Sequence, residues 1–339
     1  MATTFKTFLN DDVVSTRSLL HEFIPITGTI VSGVYGDSNI KNYGHGMFQS
    51  VYDYPYLSSS ANHIFDITVG LAPTLSSSLN TQNTKKIQVY NQMAQILAGY
   101  DATGSILQFD QDGNILAGGT KHQSVFFLSF ARLLSKDEVK KGSFRMVLGT
   151  GSSNSGDPNT GSLVTIGDFG ADTEYRVNSP AGEYGILYTS SNPVEGTGVG
   201  LFYYQAGIAV ITSSVFNAAV LVDGKSNVQE AFTGSTIQQL CDGVRRRWSN
   251  CEFNNTTELN STIYFCRINN NEFNYSSNPT YLSGSKIRVK NQSTDNPVSY
   301  ITTVGLYSSD NELLATAKLS EPLKKDPTNE MILRVRLDY

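Results

Sequence analysis

The side chains able to carry chemistry are few and scattered along the 339 residues. The four histidines, His21, His45, His63 and His122, form no HExxH motif, no pair at metal-ligand spacing and no group with a cysteine pair, so no catalytic or structural metal is expected. Cys241, Cys251 and Cys266 are odd in number, which excludes a closed disulfide framework. They read as buried free thiols packed like small hydrophobes. No GxSxG elbow is present. The run GTGSSNSGDPNTGS, from Gly149 to Ser162, has no lysine after its glycines to hold a phosphate, so it reads as a surface loop. Asp110, Asp112 and Asn114 begin like a calcium loop, but the twelfth position is Lys121 where a glutamate is needed; a hairpin turn is the simpler reading. Carboxylate pairs for glycoside hydrolysis can come from distant strands, yet nothing singles out two of the 30 acids. The sequons at Asn255, Asn260, Asn274 and Asn291 read as turn-forming asparagines. No cofactor and no catalytic residue is expected.

With chemistry this sparse, the pattern of apolar residues organises the chain. ITTVGLYSSDNELLATAKLS reads as a hairpin turning at Ser308 to Asn311, and MILRVRLDY alternates Met331, Leu333, Val335 and Leu337 against Ile332, Arg334, Arg336 and Asp338. Such a terminal strand is expected to be pinned in a sheet. Residues Asp11 to Ile24 suggest a short helix stopped by Pro25, preceded by an apolar tip. ITGTIVSGVYG reads as a strand interrupted by Gly28, Gly33 and Gly36, and Pro55 confines Tyr52, Tyr54 and Tyr56 to an edge or loop. HIFDITVGL alternates as a strand. Ile87, Tyr90, Ala94 and Leu97 fall at helical spacing after a cap at Thr84 and before a stop at Gly99. SILQFDQDGNILAGG reads as strand, turn and strand; SVFFLSFARLL and GSFRMVLG read as buried strands. STIQQLCDGVRRRW is a second helix with a stripe of Ile237, Leu240, Cys241, Val244 and Trp248 and a capping box from Ser235 to Gln238. Arg245, Arg246 and Arg247 suit the negative end of its dipole; an acidic partner surface is the alternative. The expected fold is mainly β, with an antiparallel sandwich-like core, a few short α-helices and an N-terminal arm. Its divisions are 1–60 for the arm and an edge segment, 61–248 for a middle β-rich domain with helices near 84–98 and 236–248, and 249–339 for a C-terminal β unit.

A chain of this length can bury roughly three quarters of its unfolded surface. Only 16% of residues are charged, against about 25% in a typical soluble domain. That surface suits packing against protein, while a net charge of −5 argues against nucleic acid as a partner. Val199 to Val222 carries no charge, but Tyr203, Tyr204, Gln205, Thr212, Ser213, Ser214 and Asn217 interrupt it. Two buried strands, LFYYQAGIAVIT and FNAAVLV, explain it better than a membrane span. The opening MATTFKTFLNDD lacks the features of a secretory signal, and synthesis in a cytoplasm is expected.

ELNSTIYFCRINNNEFNYSSNPTYLSGSKIRVK, the hairpin after it and the terminal RVRLDY resemble a family of virion structural proteins of contractile-tailed bacteriophages, notably those infecting marine cyanobacteria. The likeness extends to TTFKTFLNDDVVSTRSLLHEFIPITG, HGMFQSVYDYPYLSSSANHIFD and SPAGEYGILY. The resemblance implies a non-enzymatic building block of the tail or baseplate, wedge-like, present in many copies in a symmetric assembly with other tail and baseplate proteins. It would be located in the virion tail after assembly in the host cytoplasm. A receptor- or glycan-binding tail module and a cell-wall-degrading hydrolase are the alternatives. Independently of the resemblance, Phe5, Phe8 and Leu9 on the arm and Phe273, Tyr275 and Tyr281 on an Asn/Pro-rich loop are candidate interface anchors, because large rings on loops are costly to leave in water.

Overall fold

The computed structural model describes residues 5–22, 40–52, 63–75, 80–115, 118–150, 162–194, 196–217, 221–276, 279–284, 286–287, 292 and 294–339. The expected strand ITGTIVSGVYG, the Tyr54 to Tyr56 run, the interior of the GTGSSNSGDPNTGS loop and Asn291 lie outside these residues. The chain divides into two compact units, one of Leu20–Thr257 and one of Met1–Leu19 with Glu258–Tyr339. The N-terminal residues therefore group with the C-terminal ones, and the break falls after Thr257 where the sequence suggests Trp248.

No α-helix forms over Asp11 to Glu22, the described part of the expected Asp11–Ile24 helix. A single 3-10 turn at Asn10–Asp12 leads into strand β1 (Val13–Glu22). Val13, Val14 and Thr16 are β-branched and lose side-chain freedom in a helix, and Ser15 competes for backbone hydrogen bonds there. An available neighbouring strand decides the outcome.

In the larger unit, β2 (Ile40–Asn42), β3 (Gln49–Tyr52) and β4 (His63–Leu71) precede helix α1 (Thr81–Leu97), β5 (Ser124–Phe130) and the single-turn helix α2 (Arg132–Ser135). There follow β6 (Glu138–Val139), β7 (Arg145–Gly149), β8 (Leu163–Gly167), β9 (Arg176–Ser179), β10 (Gly182–Leu187), β11 (Gly200–Tyr203) and β12 (Ile208–Thr212). Helices α3 (Val228–Gly234) and α4 (Ile237–Arg245) and strand β13 (Trp248–Glu252) complete it. Eight strands form one antiparallel sheet in the order β2-β3-β4-β5-β12-β11-β10-β9, and β13-β7-β8 form a second.

The central strands of the large sheet are buried on both faces. On one, Phe65, Ile67, Phe126, Leu128, Phe130 and Phe202 meet Phe144, Met146 and Leu148 of the smaller sheet, Phe232 of α3 and the stripe Ile237, Leu240, Cys241 and Val244 of α4. Trp248 stacks on Phe65 with ring centroids 4.7 Å apart. On the other face, Val125, Phe127, Tyr184, Leu201, Tyr203 and Val210 are covered by Val89, Tyr90, Ala94 and Leu97 of α1. Burial on both sides explains the unbroken apolar run SVFFLSF, which does not alternate. α1 is capped by Asn80, whose side chain accepts from the Asn83 N–H at 2.8 Å, four residues before the Thr84 cap suggested by sequence. In α4 the capping box is Thr236 with Gln239, one position later than the sequence suggests. α3 was not anticipated. Lys86 of α1 is buried, and its ammonium donates to the carbonyls of Phe232 and Ser235 at the end of α3.

Three further expectations change. SILQFDQDGNILAGG forms no regular hairpin: isolated bridges join Tyr100 to Ile106 and Asp110 to Lys121, and Phe109 and Ile115 are buried without a ladder. LFYYQAGIAVIT is two strands, β11 and β12, reversing at Tyr204 to Gly207, while Ser213–Phe216 is a 3-10 turn, so the described part of FNAAVLV holds no strand. Asn255 and Asn260 lie within a strand, whereas Asn274 is in a loop. Among the described residues no helix is long and apolar enough to cross a membrane. Cys241 and Cys251 are buried and Cys266 half-buried, all as free thiols.

The smaller unit holds most of β1 and of β14 (Asn255–Ile268), followed by β15 (Leu282–Ser283), β16 (Lys286–Ile287), β17 (Ser299–Tyr307), β18 (Leu313–Lys325) and β19 (Met331–Asp338). β1-β14-β19 form a sheet, with β14 and β19 antiparallel from Ser261↔Asp338 to Ile268↔Met331. β19 alternates as its sequence indicates, with Val335 buried and Ile332, Arg334, Arg336 and Asp338 exposed. Among the described residues β17 and β18 pair only with each other, as a two-stranded ribbon. Their register jumps between Ile301↔Leu323 and Thr303↔Lys318, so Leu319 to Pro322 bulge opposite Thr302.

Gly70 sits where α1 crosses β4. A Cβ there would lie 2.6 Å from the Phe127 ring and 3.1 Å from Tyr90 Cβ. Gly70→Ala is expected to lower the unfolding free energy by about 1–3 kcal/mol, because a close-packed contact must be forced open. Urea denaturation of the purified chain would measure it; an unchanged midpoint would show that α1 has room to shift.

Candidate interaction surface

The six expected anchors all belong to the smaller unit. Phe5 packs edge-on against Tyr307 with centroids 4.9 Å apart, Phe8 lies on Tyr264 at 5.4 Å, and Lys6 between them pairs with Glu272. Leu9 stays 62% exposed, although its N–H donates to Asp12 at 2.9 Å. Asp12 also pairs with Arg267 at 2.6 Å, and the Leu9 N–H above all holds its carboxyl below the usual range. The arm thus follows its own unit while leaving its large side chains partly in solvent.

On the loop after β14, Tyr275 meets Tyr281 edge-on at 5.4 Å, and the Tyr281 hydroxyl donates to the Val298 carbonyl. Phe273 adopts φ +54°, a conformation that a bulky aromatic residue rarely takes, and its ring is exposed. Backbone strain of this kind amounts to about 1–3 kcal/mol and persists where surrounding contacts enforce it. Here those contacts converge on a residue that sequence reasoning passed over. Lys325 at the end of β18 is fully buried and donates to the Asn274 side chain at 2.6 Å, to Asn270 O at 3.1 Å and to Asp326 O at 2.8 Å. Its acceptors are carbonyl oxygens without formal charge, so no charge pattern in the sequence could have marked it.

The surface extends beyond the six. Tyr300, Tyr307, Leu313, Leu314, Leu323, Ile332 and Tyr339 are also exposed, Leu314 to 69%. By contrast, the only buried apolar side chains among the described residues of this unit are Ile268, Leu306 and Val335. The hairpin pattern was visible in the sequence. That both faces of the ribbon remain largely open was not, because alternation alone does not say what covers a face.

The densest charged cluster lies in the larger unit and is a structural tie. Asp168 is fully buried and accepts from the N–H groups of Gly142 and Phe144, at 2.7 and 2.9 Å, and from Arg145 and Tyr204, both at 2.9 Å. Burial pushes its carboxyl up to about 6 against the pull of those donors. Lys141 bridges Glu138 and Glu183 at 2.6 and 2.7 Å and faces the rings of Tyr175 and Tyr204. A cavity of about 410 Å³ lies elsewhere, lined by residues including Tyr90, Asn91, Ser105 and Gln108, with no carboxylate or imidazole in its wall. Asp110 is buried and pairs with Lys121 at 2.5 Å. Arg245 is buried and bonded to Asp242, and Arg247 is buried and donates to the Gly149 carbonyl, so these two cations face the interior instead of an acidic partner. Compared with protein-family models, curated proteins and solved structures, the chain matches none.

Lys325→Ala should release the 270–276 loop and lower stability by about 1.5–3 kcal/mol, the scale of hydrogen bonds from a charged donor. Hydrogen exchange would detect this as faster exchange in that loop than in β5. A second expectation concerns His122, which is buried with Nε2 unpartnered among the described residues; burial, aided by Lys121, takes its imidazole down to about 4. Between 6.5 and about 4 the unfolded chain binds a proton that the folded chain refuses, so stability falls as pH drops through that window. His122→Leu should remove about 3 kcal/mol of this acid sensitivity, read from unfolding curves at successive pH values.

Proposed function

We propose that the chain is a non-enzymatic structural subunit of a bacteriophage virion, in the tail or baseplate, acting through contacts with other tail and baseplate proteins in a symmetric, multi-copy assembly. The observation that carries the reading is the imbalance of the smaller unit: three buried apolar side chains against a ribbon, an arm and a loop that expose many. Burying a Leu or Phe contributes about 1.5–3 kcal/mol. Ordering each backbone residue costs about 1–2 kcal/mol. A unit so poor in buried apolar surface gains order when a partner covers it, and exposed apolar patches of this kind mark protein contacts. The sequence resemblance supplies the virion context, and the low charge content suits repeated packing.

Mass spectrometry of intact particles of the encoding phage should find the chain at a fixed multiple of the tail symmetry. Replacing Leu314 and Ile332 by Ser should leave the melting of the isolated subunit within about 0.5 kcal/mol of the parent, as for exposed positions, while abolishing its incorporation. Absence of the chain from particles, or normal incorporation of the double variant, would overturn the reading.

A further inference from the structure

A separate surface in the larger unit, at the β2 edge of the eight-stranded sheet, concentrates aromatic and polar groups that the structural role does not use. Register places Lys41 opposite Ser50 and Ser50 opposite Asp66, so one polar row crosses β2, β3 and β4. The adjacent row, Ile40, Val51 and Phe65, belongs to the core. In the polar row, the buried Ser50 hydroxyl donates to Asp66 Oδ1 at 2.5 Å, the Tyr43 hydroxyl lies 3.1 Å from Ser50 Oγ, and His63 Nε2 reaches the same Oδ1 at 2.9 Å. Among the described residues no hydrogen bond reaches Asp66 Oδ2. Burial, with the neighbouring Tyr43 hydroxyl, holds the Tyr52 phenol above its usual value.

Beside this row stands a cluster of three rings. Tyr43 and His45 are parallel within 4° at 5.4 Å, and Phe48 closes on both at 4.6 and 5.1 Å. The cluster is held from below. The Met47 N–H donates to His45 Nδ1 at 3.0 Å, Lys85 donates to the His45 carbonyl at 2.8 Å, and Thr68 to the Met47 carbonyl at 2.6 Å. The His45 ring itself is exposed, and Tyr43, His63 and Asp66 are half-buried. Ring faces on the β2–β3 turn sit next to a carboxylate oxygen and an imidazole on β4 and the Tyr52 phenol on β3, with hydrogen bonds holding both turn and strands. Pre-positioned polar groups of this kind beside aromatic walls are what small-molecule recognition requires.

We propose that this face binds a neutral glycan, with the C–H face of a sugar ring against the exposed His45 ring, which Tyr43 backs, and its hydroxyls bonded to Asp66 and His63. A phosphate- or sulfate-bearing ligand would meet the Asp66 carboxylate at the centre of the site, with Lys41 drawn over the Tyr43 ring at 5.3 Å. A purely apolar partner would dehydrate the Asp66 Oδ2 without giving it a hydrogen bond, which is costly. A hydroxyl-rich neutral ligand satisfies both groups at once.

The test is saturation-transfer NMR on the full chain with neutral oligosaccharides (maltohexaose, chitotetraose and xylohexaose), with a sulfated heparin fragment and oligo-dT as anionic controls. At least one neutral sugar should bind, and Asp66→Asn and Tyr43→Ala should each weaken it by about tenfold or more, the loss expected for a hydrogen bond to a charged group. Should Tyr43→Ala unfold the edge strand, His45→Ala, which removes an exposed ring and one hydrogen bond within the turn, should weaken binding with the melting temperature of the chain little changed. Tighter binding of the oligosaccharide than of its monosaccharide assigns the source as a polymer, and equal binding assigns a free sugar. Failure of every neutral sugar at about 10 mM, a range where Kd would be too weak to matter, overturns the proposal. So does preference for the anionic controls, or binding indifferent to Asp66→Asn.

Discussion

The sheet of the larger unit has no solvent face over its central strands, and that requirement governs the rest of the unit. β4, β5 and β12 carry apolar side chains on both sides, and each side must be covered for the hydrophobic effect to favour the arrangement. One cover is a second sheet with two helices, the other a single long helix and an irregular loop. Each has left a local signature. The Phe65–Trp248 stack joins sheet to sheet, Gly70 lets α1 approach β4, and Lys86 spends its three donors on backbone oxygens and Asn83 because no water reaches it. Such a buried cation is tolerated because carbonyl oxygens replace its hydration.

The parts of this plan that were legible in the sequence are those where one period dominates. β19 and the ribbon alternate over eight or more residues, and α4 has a narrow apolar stripe, so period alone decides them. β1 was misread because Leu19, Leu20 and Phe23 suit a helix as well as a strand, and the partner strand that decides lies 247 positions away at the Ser15–Thr262 contact. The 100–122 loop misled for another reason. Phe109 and Ile115 have strand-like neighbours, yet they plug a gap under α1 without any ladder. Lys325 and the Tyr43 cluster were invisible because both arise from side chains meeting carbonyls or rings of other segments, which composition does not encode.

The two units differ in how they use aromatic residues. In the larger unit the Phe and Trp rings of the sheet are interior and contact one another in chains, from Phe126 with Phe216 and Phe232 to Phe130 with Phe144 and Phe253. In the smaller unit they occur as surface pairs, Phe5 with Tyr307, Phe8 with Tyr264 and Tyr275 with Tyr281. Paired rings of this sort restrict each other's rotation before any partner arrives, which lowers the ordering cost of association.

The bulge from Leu319 to Pro322 has a consequence for how the ribbon can be used. An exposed two-stranded ribbon offers its outer edges as templates for further strands, the route by which chains stack into fibres. Pro322 has no N–H to offer, the bulge breaks the regular spacing of donors, and Lys318 and Lys324 add charge along the same strand. A strand laid along β18 would lose its ladder halfway. Main-chain addition along β18 is thereby disfavoured, while Leu313, Leu314 and Tyr300 remain available as side chains. A partner docking along β18 would meet side-chain shapes instead of extending the sheet.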